Sequence, residues 1–219
     1  MEQLKFHPVS EIFPSMPQAE FDALVADITA NGLREPIHIM GDSVIDGRHR
    51  YRACLQAGVE PQFVVVPDGT DLNALVISLN LRRRHLDESQ RAMVAARLAN
   101  LPLGSNQHAQ ICAPSQDSAA EVLNVSRRTV QHARAVLEPG APELATAVDT
   151  GVIAVSSAAA LSRLTVDAQQ AVLSRTPQEI RAIAQDVGNR IQSAGVVGQS
   201  AVHIFDEVAQ EAGLDGAQR

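Results

Sequence analysis

The run Ser118-Ala119-Ala120-Glu121-Val122-Leu123-Asn124-Val125-Ser126-Arg127-Arg128-Thr129-Val130-Gln131-His132-Ala133-Arg134-Ala135-Val136-Leu137 decides how the second half of this chain is read. Two helices that cross closely about a short turn make three demands. They need a small residue at the crossing, a residue that accepts left-handed backbone in the turn, and an apolar side chain on the second helix aimed back at the first. Ala120, Asn124 and Val130 meet these demands in order. Ser126 stands where an N-cap belongs, which puts Arg127, Arg128 and Gln131 on the first turns of the second helix, where a recognition helix meets base edges in the major groove. Arginine suits guanine and glutamine suits adenine. Ser126, Thr129 and Arg134 suit phosphates, which fix orientation without reading sequence. The expectation is a helix-turn-helix over 116–137, helical over 116–123 and 127–137. The competing reading is a plain hairpin of a helical bundle with solvated arginines.

Downstream, helical pieces are expected at 142–149, 156–163 and 167–175, so 116–176 reads as an all-α domain. Residues 177–219 are helix-prone but broken by Gly195 and Gly198, and no role is assigned to them. Upstream, 103–115 mixes Gly, Ser, Asn, Gln and Pro without periodicity and reads as a linker or long loop.

Residues 1–102 read as a separate α+β domain. Phe21, Leu24, Val25 and Ile28 recur at helical spacing and Asn31-Gly32 closes that helix. Strands at 37–40 and 43–45 flank Gly41-Asp42, a two-residue hairpin turn. A helix over 48–57, a strand over 62–66 and helices over 71–81 and 87–100 complete a small mixed sheet with helices.

Among the 219 residues there is no Trp and a single Tyr51, so cores must come from Leu, Val, Ile and Ala. No run approaches the roughly 20 apolar residues of a membrane span, and the N-terminus lacks the pattern of a signal sequence. A soluble cytoplasmic protein, nucleoid- or plasmid-associated, is expected. Cys54 and Cys112 are far apart, without the spacing of a zinc site or a disulfide framework. The formal net charge of −7 argues against a protein that coats nucleic acid nonspecifically.

Asp46-Gly47-Arg48-His49-Arg50-Tyr51-Arg52 ends a strand and opens a helix. Free backbone N–H groups and the helix dipole then point where three arginines and a histidine gather, which is physically an anion site, most simply for phosphate. Arg82-Arg83-Arg84-His85, between two helices, is either a solvated connection or a second source of phosphate contacts.

Residues of about 5–100 resemble the N-terminal domain shared by ParB partition proteins and sulfiredoxin. The resemblance rests on Pro8-Val9-Ser10, Gly32-Leu33-Arg34-Glu35-Pro36-Ile37, Gly47 through Ala53, and Asn80 through Leu86, in that order. It extends through Ser118–Leu137, Glu143-Leu144 and Gly151-Val152-Ile153-Ala154-Val155-Ser156 to the ParB helical domain, covering most of 5–175. The resemblance implies a site for the phosphates of CTP with Mg2+ at Gly47, Arg48, His49, Arg50, Arg52, Asn80 and Arg83, with Glu35 in the loop that meets the base. Four positions depart from the family. Arg48 and His49 stand where Glu and Arg are usual, Glu35 replaces a glutamine, and Leu79 replaces an acidic residue and offers no metal ligand. Nucleoside triphosphatase activity is therefore expected to be weak or absent. Sulfiredoxin's cysteine is Arg48 here, which sets that chemistry aside.

The resulting expectation is a sequence-specific binder of double-stranded DNA in partition, plasmid or phage maintenance, or transcriptional regulation. It would act as a homodimer on two half-sites, with a nucleotide or a partner protein at the N-terminal domain. The alternative is a nucleotide-dependent phosphotransferase or nuclease using Asp46, His49 and Glu35.

Overall fold

The computed structural model describes residues 3–81, 86–101, 114–138 and 140–193. The chain divides into two compact units. The first is Met1–Leu86 with Arg97–Ser115, and the second is Asp87–Ala96 with Gln116–Arg219.

The first unit is built on a four-stranded sheet of β1 (Lys5–Phe6), β2 (Ile37–Met40), β3 (Ser43–Asp46) and β4 (Phe63–Val65), in the order β1-β3-β2-β4. β2 and β3 form the antiparallel hairpin expected about Gly41-Asp42, whereas β1 pairs with β3 and β4 pairs with β2 in parallel. The β2–β3 register shifts between His38 and Ile39, beside the place where Asp46 leaves the ladder. Such an irregularity re-aims the end of a strand. α1 (Gln18–Asn31) packs on α2 (Arg48–Ala57) through Ile28, Ala53 and Cys54, all buried. Ile37, Val44 and Tyr51 form a second cluster under the sheet, and Tyr51 Oη accepts from Leu4 N at 3.0 Å, fixing the first strand. Burying one such aliphatic side chain stabilises by roughly 1.5–3 kcal/mol. α3 (Leu72–Leu81) lies beside β3 and brings its last turn to the strand's end. The strand β1 and the 3-10 turn Pro8–Glu11 were not expected from sequence pattern.

The second unit is all helical: α5 (Gln116–Val122), α6 (Arg127–Leu137), α7 (Pro142–Asp149), α8 (Val155–Leu161), α9 (Val166–Leu173) and α10 (Pro177–Ser193), joined by most of α4 (Glu88–Ala99). Two expected boundaries fall differently. Residues 87–96 belong with the helical unit, because Ser89 Oγ accepts from Val155 N at 3.1 Å and Gln90 Nε2 donates to Asp149 O at 2.7 Å. α10 also belongs to that unit rather than to a separate tail, since Ile180, Ala184 and Val187 share one face and are buried where it packs on α8 and α9. Between them, Gln169 is 1% exposed. Its amide accepts from Ala141 N at 2.8 Å and donates to Leu164 O at 2.8 Å and Ser162 O at 3.3 Å, satisfying three loop groups at once. No described helix is long and apolar enough to cross a membrane.

Candidate functional site

Asp46 ends β3 and Gly47, at φ 92°, turns the chain into the first residues of α2. Only glycine suits this position. The backbone is left-handed, and a Cβ here would lie 2.9 Å from a terminal nitrogen of Arg50. Arg50 thereby reaches back over the strand end. Its guanidinium meets Asp46 Oδ2 and Glu35 Oε2, each at 2.8 Å. Asn80, at the end of α3, donates to the other Asp46 oxygen at 2.7 Å and to Val76 O at 3.0 Å. These four side chains converge with Gly47 on a cavity of about 200 Å3 whose walls include Phe13 and Leu24. That is below the roughly 300–1,000 Å3 of a whole small-molecule site, and it suits phosphate groups better than a complete nucleotide. A larger cavity of about 500 Å3 lies among Leu4, Ile39, Tyr51, Leu55 and Phe63, away from these charges, and is mostly apolar.

The residues singled out from sequence divide sharply. Gly47, Arg50, Asn80 and Glu35 are brought together. Arg48 and His49 also line the cavity but are buried, with their polar atoms turned to the preceding segment. Arg48 donates to Ser10 O and Phe13 O, both at 2.9 Å, while His49 Nε2 accepts from Met16 N at 3.2 Å. Arg52 is not in the cavity. It is exposed, with its guanidinium carbon 4.8 Å from the centre of the Phe6 ring. Arg83 and the rest of 82–85 lie outside the described residues, as does Cys112. Cys54 is wholly buried between α1 and α2, and burial pushes its thiol above the ordinary range. The anchoring role of Asp46 was legible only as a strand-ending Asp-Gly pair.

In the helical unit, Asn124 is the one non-glycine residue with positive φ among those described, at 50°. Ala120, Val130 and Ala133 are buried at the crossing of α5 and α6. Ser126 Oγ accepts from Thr129 N at 3.0 Å and so caps α6. On the outer face, Arg127 pairs with Asp117 at 3.1 Å, Arg134 pairs with Glu138 at 2.6 Å, and Thr129 approaches Glu88 at 3.4 Å. Arg128 and Gln131 are exposed. Sequence reading missed His132 and Arg163. Desolvation, then the charges of Arg128 and Arg163, hold the His132 imidazole below its ordinary pKa.

A small mixed sheet with a glycine-led, arginine-lined cavity and a capped helix-turn-helix together define a class, and the chain belongs with the ParB-like proteins. The chromosome-partitioning protein Spo0J of Thermus thermophilus is 30% identical over 162 residues, which are 69% of this chain and 56% of that protein. The chain thus matches little more than half the length of this curated relative. Two crystal structures of the C-terminally truncated chromosome-partitioning protein ParB from Caulobacter crescentus are also similar. One, complexed to the centromeric parS site, is 20% identical over 78% of this chain and 89% of its own, with a TM-score of 0.34. The other, complexed with CTP-gamma-S, is 17% identical over 85% and 94%, also with a TM-score of 0.34. No family model matches the chain.

Proposed function

We propose that this chain is a sequence-specific DNA-binding protein of the partition or regulator kind, in which a nucleotide bound by the first unit alters how the second engages DNA. The observation that carries the DNA reading is the joint geometry of Asn124 in the left-handed turn, Ser126 on the α6 N-terminus and Arg128 with Gln131 exposed on that helix. Gln131 would read adenine and Arg127 or Arg128 guanine, while Ser126, Thr129 and Arg134 would hold phosphates. Binding as a homodimer to two half-sites follows from how such helices address DNA.

The nucleotide part of the proposal rests on the donor set. Arg50 and the Asn80 amide, beside a glycine that admits no side chain, fit phosphate oxygens, and the cavity's size fits phosphates rather than a base. CTP with Mg2+ is the ligand to test first, the metal supplying charge neutralisation of the phosphates. Gly47, Arg50 and Asn80 would hold them, with Glu35 at the rim, Arg48 and His49 keeping the wall in place, and Arg52 reaching in from outside the cavity, while Arg83 would add a further phosphate contact.

Selection from a random DNA pool tests the first half. Enrichment of an inverted repeat, lost when Arg128 and Gln131 are both changed to alanine, is the expected result. Recovery of unrelated sequences with equal affinity would overturn it.

A further inference from the structure

Arg50 is held by two carboxylates that differ in how firmly they are placed. The Asp46 side chain is 11% exposed, belongs to a strand end and is tied by Asn80 at 2.7 Å. The Glu35 side chain is 54% exposed and lies in the loop before β2, yet its carboxylate sits 2.8 Å from the guanidinium. Its main-chain oxygen also faces Arg50, at 3.4 Å. The Arg50 side chain is 16% exposed, and Glu35 lines the same cavity and holds one of its guanidinium nitrogens.

We infer that Glu35 is a built-in competitor for the phosphate subsite, occupying Arg50 until a polyphosphate displaces it, while Asp46 stays in place. This inference rests on the phosphate reading of the cavity and adds to it the residue that sets affinity. Water competes for the half-open Glu35 carboxylate, so Glu35 leaves more readily than Asp46, which is 11% exposed and also tied by Asn80. Once displaced, the carboxylate remains beside the bound anion and repels it. Both effects act in one direction, raising the ligand concentration needed to fill the cavity. Glutamine at this position would keep the length and a hydrogen bond to Arg50 while removing the charge.

The test uses the full chain and a base-free probe, tripolyphosphate, titrated by calorimetry into the parent protein, Glu35→Gln, Glu35→Ala and Arg50→Ala, with melting curves to verify that all four are folded. The expected result is binding about fivefold tighter in both Glu35 variants, the scale of one exposed ion pair, and its loss in Arg50→Ala. Binding to the parent and both Glu35 variants within twofold would overturn the inference while leaving the phosphate reading intact. Absence of binding in all four proteins would overturn both.

Discussion

Asn80 donates its amide to Asp46 at 2.7 Å, joining the last turn of α3 to the end of β3 across 34 residues of chain. A carboxylate with one oxygen on Asn80 and the other on Arg50 has little freedom to rotate, and it presents the guanidinium at a fixed angle. Replacing Asn80 with alanine should therefore loosen Arg50 as well as remove a direct contact. We expect polyphosphate binding to weaken about tenfold and stability to fall by about 1 kcal/mol, one net hydrogen bond. Unchanged affinity in calorimetry would show that Arg50 is positioned without this strut.

Gly47→Ala should be more damaging than a glycine substitution in an ordinary turn. The positive φ costs about 1 kcal/mol, and the added methyl would lie 2.9 Å from Arg50, forcing the guanidinium aside. Denaturant unfolding should show the small stability loss, and tripolyphosphate titration a larger loss of binding. A variant that binds as the parent does would refute the close approach.

Two arginines two positions apart should behave oppositely. Arg48 is 8% exposed and bridges two carbonyls of the segment before α1, so Arg48→Ala should destabilise the first unit by about 3 kcal/mol, the range for two charge-assisted bonds. Arg50→Ala should lower the melting temperature less and remove polyphosphate binding. Equal melting temperatures for the two variants would contradict the assigned roles.

The proposed DNA reading predicts a pH dependence through His132, which lies on the same helix as Arg128 and Gln131. Its folded-state pKa lies below the ordinary value because of burial and the charges of Arg128 and Arg163. The unfolded chain then binds the extra proton first, so this contribution to stability is complete above about pH 6.5 and is lost progressively as pH falls from there through the lower folded-state value. A DNA phosphate held by Arg128 would oppose the lowering, so DNA binding should take up a proton and strengthen as pH falls from 7.5 to 5.5. Fluorescence anisotropy of the parent against His132→Gln measures this, and identical pH profiles would sink the assignment.

Gln169→Leu keeps nearly the same volume but abandons Ala141 N–H and the carbonyls of Ser162 and Leu164. The expected penalty is about 2–4 kcal/mol, seen as a lower urea midpoint with an unchanged m-value. A leucine variant as stable as the parent would mean that these groups find other partners.

What could be read from sequence was governed by local rules. Asn124 in the turn, Ser126 as a cap and the Gly41-Asp42 hairpin each depend on the residue and its near neighbours, and the structure has all three. The failures were tertiary. β1 is two residues long and exists because β3 lies beside it, which no periodicity announces. Arg48 and Arg52 look alike in the loop sequence, yet one is buried against carbonyls 35 and 38 residues earlier and the other stacks on Phe6. Four positions apart on α2, they lie on nearly the same helix face, so periodicity does not separate them, and only the positions of the preceding segment and of β1 decide what each one meets.

The grouping of residues 87–96 with the helical unit, while Arg97–Ser115 returns to the first, means the backbone passes between units three times rather than once. The two units are therefore interleaved along the sequence instead of strung in series. A fragment beginning at Gln116 would lack Ser89 and Gln90, leaving Val155 N–H and Asp149 O without those partners. Moving the helical unit into another protein would therefore require Asp87–Ala96 together with the stretch from Gln116 onward, because the helix-turn-helix alone leaves those two contacts behind.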